Sequence, residues 1–185
     1  ESYEDLSALD RTLLQANEWR NQIESKMREM QISDQDYAVI TAMALGDKTA
    51  LDAETKDAYS IAGTSHVLAV SGLHIGIIFQ LFILLLGGRK KSILTICLST
   101  IAIWSYVVLI GMPASAVRSA TMISIYSFAI LAQKDALSVN NLAVAYIIML
   151  FISPLYLFDI SFQMSFLAVL SILVFFPSIS SVFHF

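Results

Sequence analysis

The chain divides near residue 63 into an amphipathic part and a part made of long apolar runs. Over the first thirty residues, apolar side chains recur at alternating intervals of three and four positions, which predicts an amphipathic helix. A second helix is predicted with Ser33 or Asp34 as its cap and Gly46 at its end. A third is predicted between Asp52 and Gly63 on the same grounds.

Five apolar runs follow, and each has about the 17 to 25 residues that cross a hydrocarbon core of about 30 Å. They cover residues 67–86, 93–110, 114–132, 142–158 and 160–176. Within the fourth run, Ser153-Pro154 and the following Asp159 predict a helix that is short or bent.

The expected fold class is therefore all-α: a polytopic membrane helical bundle preceded by short amphipathic surface helices. Residues 1–62 form the interfacial helices, because they are too polar to span a bilayer. Residues 63–177 form the transmembrane region with about five spans, and residues 178–185 are a truncated tail.

Composition excludes an ordinary soluble domain, because 57% of the residues are apolar, 14% are charged and the mean hydropathy is +0.71. Charge is split between the two parts. Residues 1–60 carry 13 acidic and 6 basic side chains, whereas residues 61–185 carry 2 acidic and 5 basic ones. The start of the chain does not have the pattern of a signal peptide, and the single cysteine, Cys97, excludes a disulfide framework.

Basic residues in the loops predict the orientation of the bundle. Arg89, Lys90 and Lys91 follow the first run, and Lys134 follows the third. Because positive residues in short loops stay on the cytoplasmic side, both loops are expected inside. The predicted location is the bacterial inner (cell) membrane, with several spans and with the acidic N-terminal segment in the periplasm.

The first apolar run opens with polar and small residues, namely His66, Ser71, Gly72, His74 and Gly76. One interpretation is helix packing through the glycines, with hydroxyl groups bonded to carbonyls. The other is a polar lining at the outer half of a conduit. The two histidines are about 12 Å apart along one helix, too far to share an ion, so neither a metal nor another cofactor is predicted.

Three further polar residues lie near the outer ends of later runs. Arg118 either extends its side chain to the interface or faces the bundle interior, where a cation could meet a phosphate backbone. Asp159 and Gln163 are four positions apart and share a helical face. Asp159 could cap the last helix or pair with Arg118 across the outer mouth.

Two other function classes stay open at this point. A transporter for another anionic solute would use the same Arg118 and polar first run. An intramembrane hydrolase would use Ser71 as its nucleophile, since Ser71 and His74 share a helical face. Residues 69–72 distantly resemble the nucleophile motif of rhomboid-type proteases, but the first glycine of that motif is missing.

Three separated segments resemble the competence domain of the ComEC family, inner-membrane proteins that admit single-stranded DNA during natural transformation. The first segment joins residues 44–48 (ALGDK) to residues 63–76 (GTSHVLAVSGLHIG), and the second covers residues 111–120 (GMPASAVRSA). The third covers residues 158–169 (FDISFQMSFLAV) and is similar to a Gln-Leu-Ser-Phe motif, with Met164 in place of leucine. The resemblance extends over nearly all of residues 11–177.

The resemblance implies an inner-membrane channel for uptake of single-stranded DNA, and not an enzyme. It implies that His66, Ser71 and His74 line the path and that Arg118 attracts phosphate. Asp159 and Gln163, with the glycines at 72 and 76, would support the motif helices. The implied partners are single-stranded DNA, membrane lipid, other competence machinery and a second copy in a homo-oligomer. Family members also carry an oligonucleotide-binding domain and a metallo-β-lactamase-like domain, and nuclease activity would need a domain that this chain does not show.

The acidic outer segment conflicts with a DNA path, because much nucleic-acid affinity comes from Lys and Arg. Single-strand conduits can instead rely on aromatic stacking. The candidate platforms, each of which could equally be a packing residue, are Trp104, Tyr106, Tyr126, Tyr146 and Phe162.

Overall fold

Every regular element is a helix in the part of the chain that the computed structural model describes, residues 8–29, 32–47, 49–63, 70–86, 93–132 and 139–183. The all-α prediction is confirmed. In chain order the helices are α1 (Ala8–Arg28), α2 (Asp34–Leu45), α3 (Ala53–Ile61), α4 (Gly72–Leu85), α5 (Ile93–Leu109), α6 (Ala114–Leu131), α7 (Val139–Ile152) and α8 (Ile160–Phe183), with a 3-10 helix (Pro154–Phe158) before α8.

The ends of α2 and α3 follow from local capping chemistry. The Ser33 hydroxyl accepts a hydrogen bond from the Asp36 backbone N–H (3.2 Å), and Gly46 ends α2 in the left-handed conformation (φ 75°). Asp52 starts α3 by accepting from the Thr55 backbone N–H at 2.8 Å. These helix boundaries were predicted from the sequence, and they are confirmed.

Two described helices are long and apolar enough to cross a bilayer, α6 and the Ile160–Pro177 part of α8. Three others are apolar but shorter: α4 and α7 have 14 residues each, and α5 has 17. At 1.5 Å per residue, 14 residues extend about 21 Å, less than a hydrocarbon core of about 30 Å. The prediction of about five spans therefore stays a prediction.

The helices of two apolar runs begin or end elsewhere than expected, and the helix of a third ends as predicted. The helix of the first run begins at Gly72, because Ser71 is extended and caps α4. The fourth run is short as predicted, because Ser153 is extended and Pro154 opens the 3-10 helix. The last run passes residue 176 and continues to Phe183 with Pro177 inside the helix, so residues 178–183 belong to α8.

Apart from a small cluster of Ala38, Ala42 and Leu51, the core of the described residues has two apolar clusters. One fills the space between α4, α5 and α6, where Ile75, Ile103 and Val107 are fully buried. The other joins α7 and α8 through Met149 and Phe162 and packs against one side of α6. Because α6 contacts both clusters, side chains on its first turns can bridge the two halves of the bundle.

Candidate functional site

The polar end of the bundle is where α4, α6 and α8 begin and α5 ends. Here the Ser115 hydroxyl of α6 donates to the Val70 carbonyl at 2.8 Å. A Cβ atom on Gly46 would lie 3.6 Å from both the Val70 side chain and the Ile110 carbonyl oxygen, so the end of α2 reaches the same place. The first and second motif segments therefore meet at the polar end.

Arg118 connects the second segment to the third. Its side chain is buried (the residue is 4% exposed), and its Nη2 donates to the Ser161 hydroxyl at 2.7 Å. Its Nη1 lies 3.6 Å from Asp159 Oδ2, which gives the ion pair that the sequence allowed. Arg118 does not extend to the interface. It faces the bundle interior.

The guanidinium of Arg118 is incompletely hydrogen-bonded. Its Nε and Nη1 atoms are buried without a hydrogen-bond acceptor in the described structure. The Asp159 side chain, by contrast, is 38% exposed, and its Oδ1 accepts from the Ser161 backbone N–H at 2.9 Å. The buried N–H groups of Arg118 are thus open to a further oxygen acceptor, although the Asp159 carboxylate would compete with an anion for them.

Gln163 fixes the start of α8. Its Nε2 donates to the Leu157 carbonyl at 2.7 Å, which holds the 3-10 helix against α8. The neighbouring Phe162 is 0% exposed and stacks on Tyr156, with 5.7 Å between ring centroids. Tyr146 joins the same aromatic cluster at 5.3 Å from Phe162. Phe162 is thus a packing residue, whereas Tyr146 is half-buried and also lines an open cavity of about 540 Å³ between α7 and α8.

Ser71 and His74 contact each other at the first turn of α4. The His74 Nδ1 accepts from the Ser71 backbone N–H at 3.1 Å and lies 2.9 Å from the Ser71 hydroxyl oxygen. Both side chains are half-buried. This contact satisfies a backbone donor that the helix start would otherwise leave open. His66 lies outside the described residues.

The two glycines of the first segment have different surroundings. A Cβ atom on Gly72 would collide with the Ser119 hydroxyl, so Gly72 permits the close approach of α4 and α6. A Cβ atom on Gly76 would meet no other atom within 4 Å. Gly76 instead borders a cavity of about 150 Å³ between α4, α5 and α6, which Gln80 and Tyr126 also line.

Charge at the turn after α2 is shaped by local hydrogen bonds. Burial acts to raise the pKa of Asp47, but hydrogen bonds from Thr49 and the nearby Arg20 charge outweigh it and leave that pKa lowered. Burial, together with the Asp47 charge, raises the pKa of Glu24 on α1 despite the Arg20 cation. Two carboxylates of the acidic segment near the polar end therefore differ in their tendency to lose a proton, with the Glu24 pKa raised and the Asp47 pKa lowered.

Sequence reasoning missed two hydroxyl groups of the site, Ser115 and Ser161. The sequence did contain a signal for Ser161. Asp159 is a typical helix N-cap residue, and a cap of this kind accepts the backbone N–H of the residue two positions later. No comparable signal marks Ser115, whose partner Val70 is 45 residues away in the chain.

Comparisons with known proteins agree with the motif segments. A family model described as "Competence protein" matches residues 43–185. The chain is 32% identical over 141 residues to "ComE operon protein 3" of Bacillus subtilis (strain 168), covering 74% of this chain and 18% of that protein. The chain thus spans less than a fifth of that relative's length. No solved structure gives a significant match.

Proposed function

This chain belongs to the ComEC family of competence proteins, and we propose that it forms part of the inner-membrane channel that takes up single-stranded DNA during natural transformation. The observation that carries the proposal is the convergence of the three motif segments on Arg118. The first segment reaches α6 through Ser115, and the third reaches Arg118 through Asp159 and Ser161. The polar end would then face the periplasm, in agreement with the basic loops at the other end.

Arg118 is the phosphate contact in this proposal. Its Nε and Nη1 lack hydrogen-bond acceptors, and a phosphate oxygen supplies a charged acceptor of the kind that guanidinium binds best. A passing phosphate would compete with the Asp159 carboxylate, which stands 3.6 Å away and is partly exposed. Exchange between a fixed carboxylate and successive phosphates would hold the strand weakly enough for it to move on.

The strand path lies beside the α4–α6 core and not through it. Fully buried Ile75, Ile103 and Val107 fill the space between these helices. A complete pore therefore requires further helices or a second copy of the chain, and a homo-oligomer is one way to supply them. Ser71 and His74 would border the entrance, and the protein would conduct DNA without catalysing a reaction.

The test is transformation and uptake of labelled DNA into a nuclease-resistant form, with the full-length protein in its own cells. Arg118→Ala is expected to lower uptake at least tenfold at unchanged abundance in the membrane. The matched control is Lys26→Ala, which removes an exposed cation from α1 that has no part in the Arg118 contacts.

A second variant separates phosphate binding from folding. Arg118→Gln combined with Asp159→Asn removes both charges and leaves no unpaired ion, so the bundle should stay folded. Loss of uptake in this neutral pair supports the phosphate role. Normal uptake would return Arg118 to a packing role and would remove the observation on which the channel proposal depends.

The Ser71 hydroxyl, 2.9 Å from His74 Nδ1, also favours a second candidate, the intramembrane hydrolase. The competing explanation is helix capping, since the same Nδ1 accepts the Ser71 backbone N–H. A fluorophosphonate probe distinguishes them: a hydrolase is labelled at Ser71 and loses the label in Ser71→Ala. An anionic-solute transporter would show saturable uptake of its solute in cells that receive no DNA.

A further inference from the structure

An open groove of about 490 Å³ lies between α1 and the second half of α5. The two tryptophans of the chain both border it, Trp19 from α1 and Trp104 from α5. The polar residues that line it are uncharged, namely Thr12, Gln15, Thr100 and Ser105. Two indole rings and neutral hydrogen-bonding groups thus share one cleft.

The two indoles differ in how firmly they are held. The Trp104 Nε1 donates to the Ser124 hydroxyl at 3.1 Å, and its ring packs against the core cluster of α4–α6. Trp19 is 61% exposed. One aromatic wall is therefore fixed in advance, and the other presents most of its surface to a flat group that enters the cleft.

The surroundings of the groove indicate water and not lipid. α1 carries exposed carboxylates at Asp10 and Glu18. Charged groups are unfavourable in hydrocarbon, so α1, which forms one wall of the groove, must adjoin an aqueous space.

The groove is linked through α6 to the proposed phosphate contact. Trp104 is bonded to Ser124, six positions after Arg118 on α6, which corresponds to about 9 Å along the helix axis. At the other end, a Cβ atom on Gly111 would lie 3.8 Å from Arg20 Nη1, so α1 reaches the second motif segment.

We propose that the α1–α5 groove binds the bases of single-stranded DNA by stacking on Trp19 and Trp104. This inference rests on the proposed function and adds the site that holds bases, separate from the Arg118 site that holds phosphate. Stacking is tolerant of sequence, because every base has an aromatic face. It also explains how an acidic outer segment can hold nucleic acid, since the affinity comes from bases and not from neutralised phosphates.

The test uses the full-length protein in nanodiscs and two labelled oligonucleotides of equal length, oligo-dT and an abasic strand that keeps the phosphates. Binding is followed by fluorescence anisotropy. Trp19→Ala is expected to weaken oligo-dT binding roughly tenfold and to leave abasic-strand binding unchanged. Trp19→Phe keeps an aromatic face and should lose less. Ile23→Ala removes an exposed apolar side chain from α1 outside the groove and should change neither.

The outcomes separate this inference from the channel proposal. If the wild-type protein binds neither strand, the proposed function fails first. If it binds both strands equally, or if Trp19→Ala binds oligo-dT like the wild type, DNA binding stands and the stacking site is overturned. Quenching of the Trp19-dependent fluorescence by brominated acyl chains would also overturn it, because the indole would then face lipid.

Discussion

The guanidinium of Arg118 lies 3.6 Å from the carboxylate of Asp159, and this contact joins the first turns of α6 to the start of α8. The pair is asymmetric. Arg118 is buried, whereas the Asp159 side chain is 38% exposed and has a second partner in the Ser161 backbone N–H. Mutation of Asp159 leaves a buried guanidinium without its partner, whereas mutation of Arg118 leaves a partly exposed carboxylate.

Asp159→Asn is expected to destabilise the protein by about 1–3 kcal/mol, because it leaves a buried guanidinium without its counter-charge. Arg118→Gln should cost less, since the remaining carboxylate is reached by water and still caps α8. Thermal unfolding of the full-length protein in detergent micelles measures both.

The double variant completes the cycle. We expect it to be more stable than Asp159→Asn alone, with a coupling of about 1–3 kcal/mol between the two sites. Additive effects would show that the two charges do not interact.

Gly72 and Gly76 offer a matched pair of substitutions on α4. Gly72→Ala should destabilise by about 1 kcal/mol, because Ser119 must rotate away and lose its 3.0 Å hydrogen bond to the Ser115 carbonyl. Gly76→Ala meets open space and should stabilise by about 0.5–1 kcal/mol through helix propensity. In a Ser119→Ala background the Gly72→Ala loss should shrink, and an unchanged loss would mean that Ser119 is not the obstacle.

Local signals were sufficient to predict much of the fold. The ends of α2 and α3 depend on residues within a few positions of each other, such as Ser33 with Asp36 and Asp52 with Thr55. The contact between Arg118 and Asp159 could be considered in advance because an alternating topology puts both at one end of the bundle. Each of these inferences needs only short-range chemistry or the order of the runs.

Contacts between distant segments could not be predicted in the same way. The amphipathic stripe predicted that α1 packs on its own domain, and α1 lies along α5, where it forms the groove between Trp19 and Trp104. A single amphipathic stripe shows that α1 has a packing face but does not show which helix it meets. The sequence could not decide whether Arg118 reaches the interface or faces the bundle interior, because its burial depends on where α8 begins.

Tyr106 links α5 to the end of α2. Its hydroxyl donates to the Ala44 carbonyl at 2.7 Å, one of the acceptors that a helix end leaves without a partner. Tyr106→Phe should therefore destabilise by about 1 kcal/mol and leave a carbonyl open at the α2 end. In Tyr106→Phe, the α2 amides are expected to exchange faster than in the wild type, and the melting temperature is expected to fall. Unchanged exchange in α2 would show that Gly46 and its neighbours hold the two helices together without this bond.

Asp52 gives α3 a dependence on pH. Hydrogen bonds from the Thr55 side chain and backbone lower the pKa of Asp52 below its ordinary value of 3.8. Since the folded pKa is the lower one, the stabilisation is present above pH 3.8 and is lost as the pH falls through the folded value. Asp52→Asn keeps a capping oxygen but cannot titrate. Protection of α3 amides, corrected for intrinsic exchange, should thus decline below about pH 4 in the wild type and stay level in Asp52→Asn. Parallel profiles for the two proteins would mean that the carboxylate charge does not contribute to the cap.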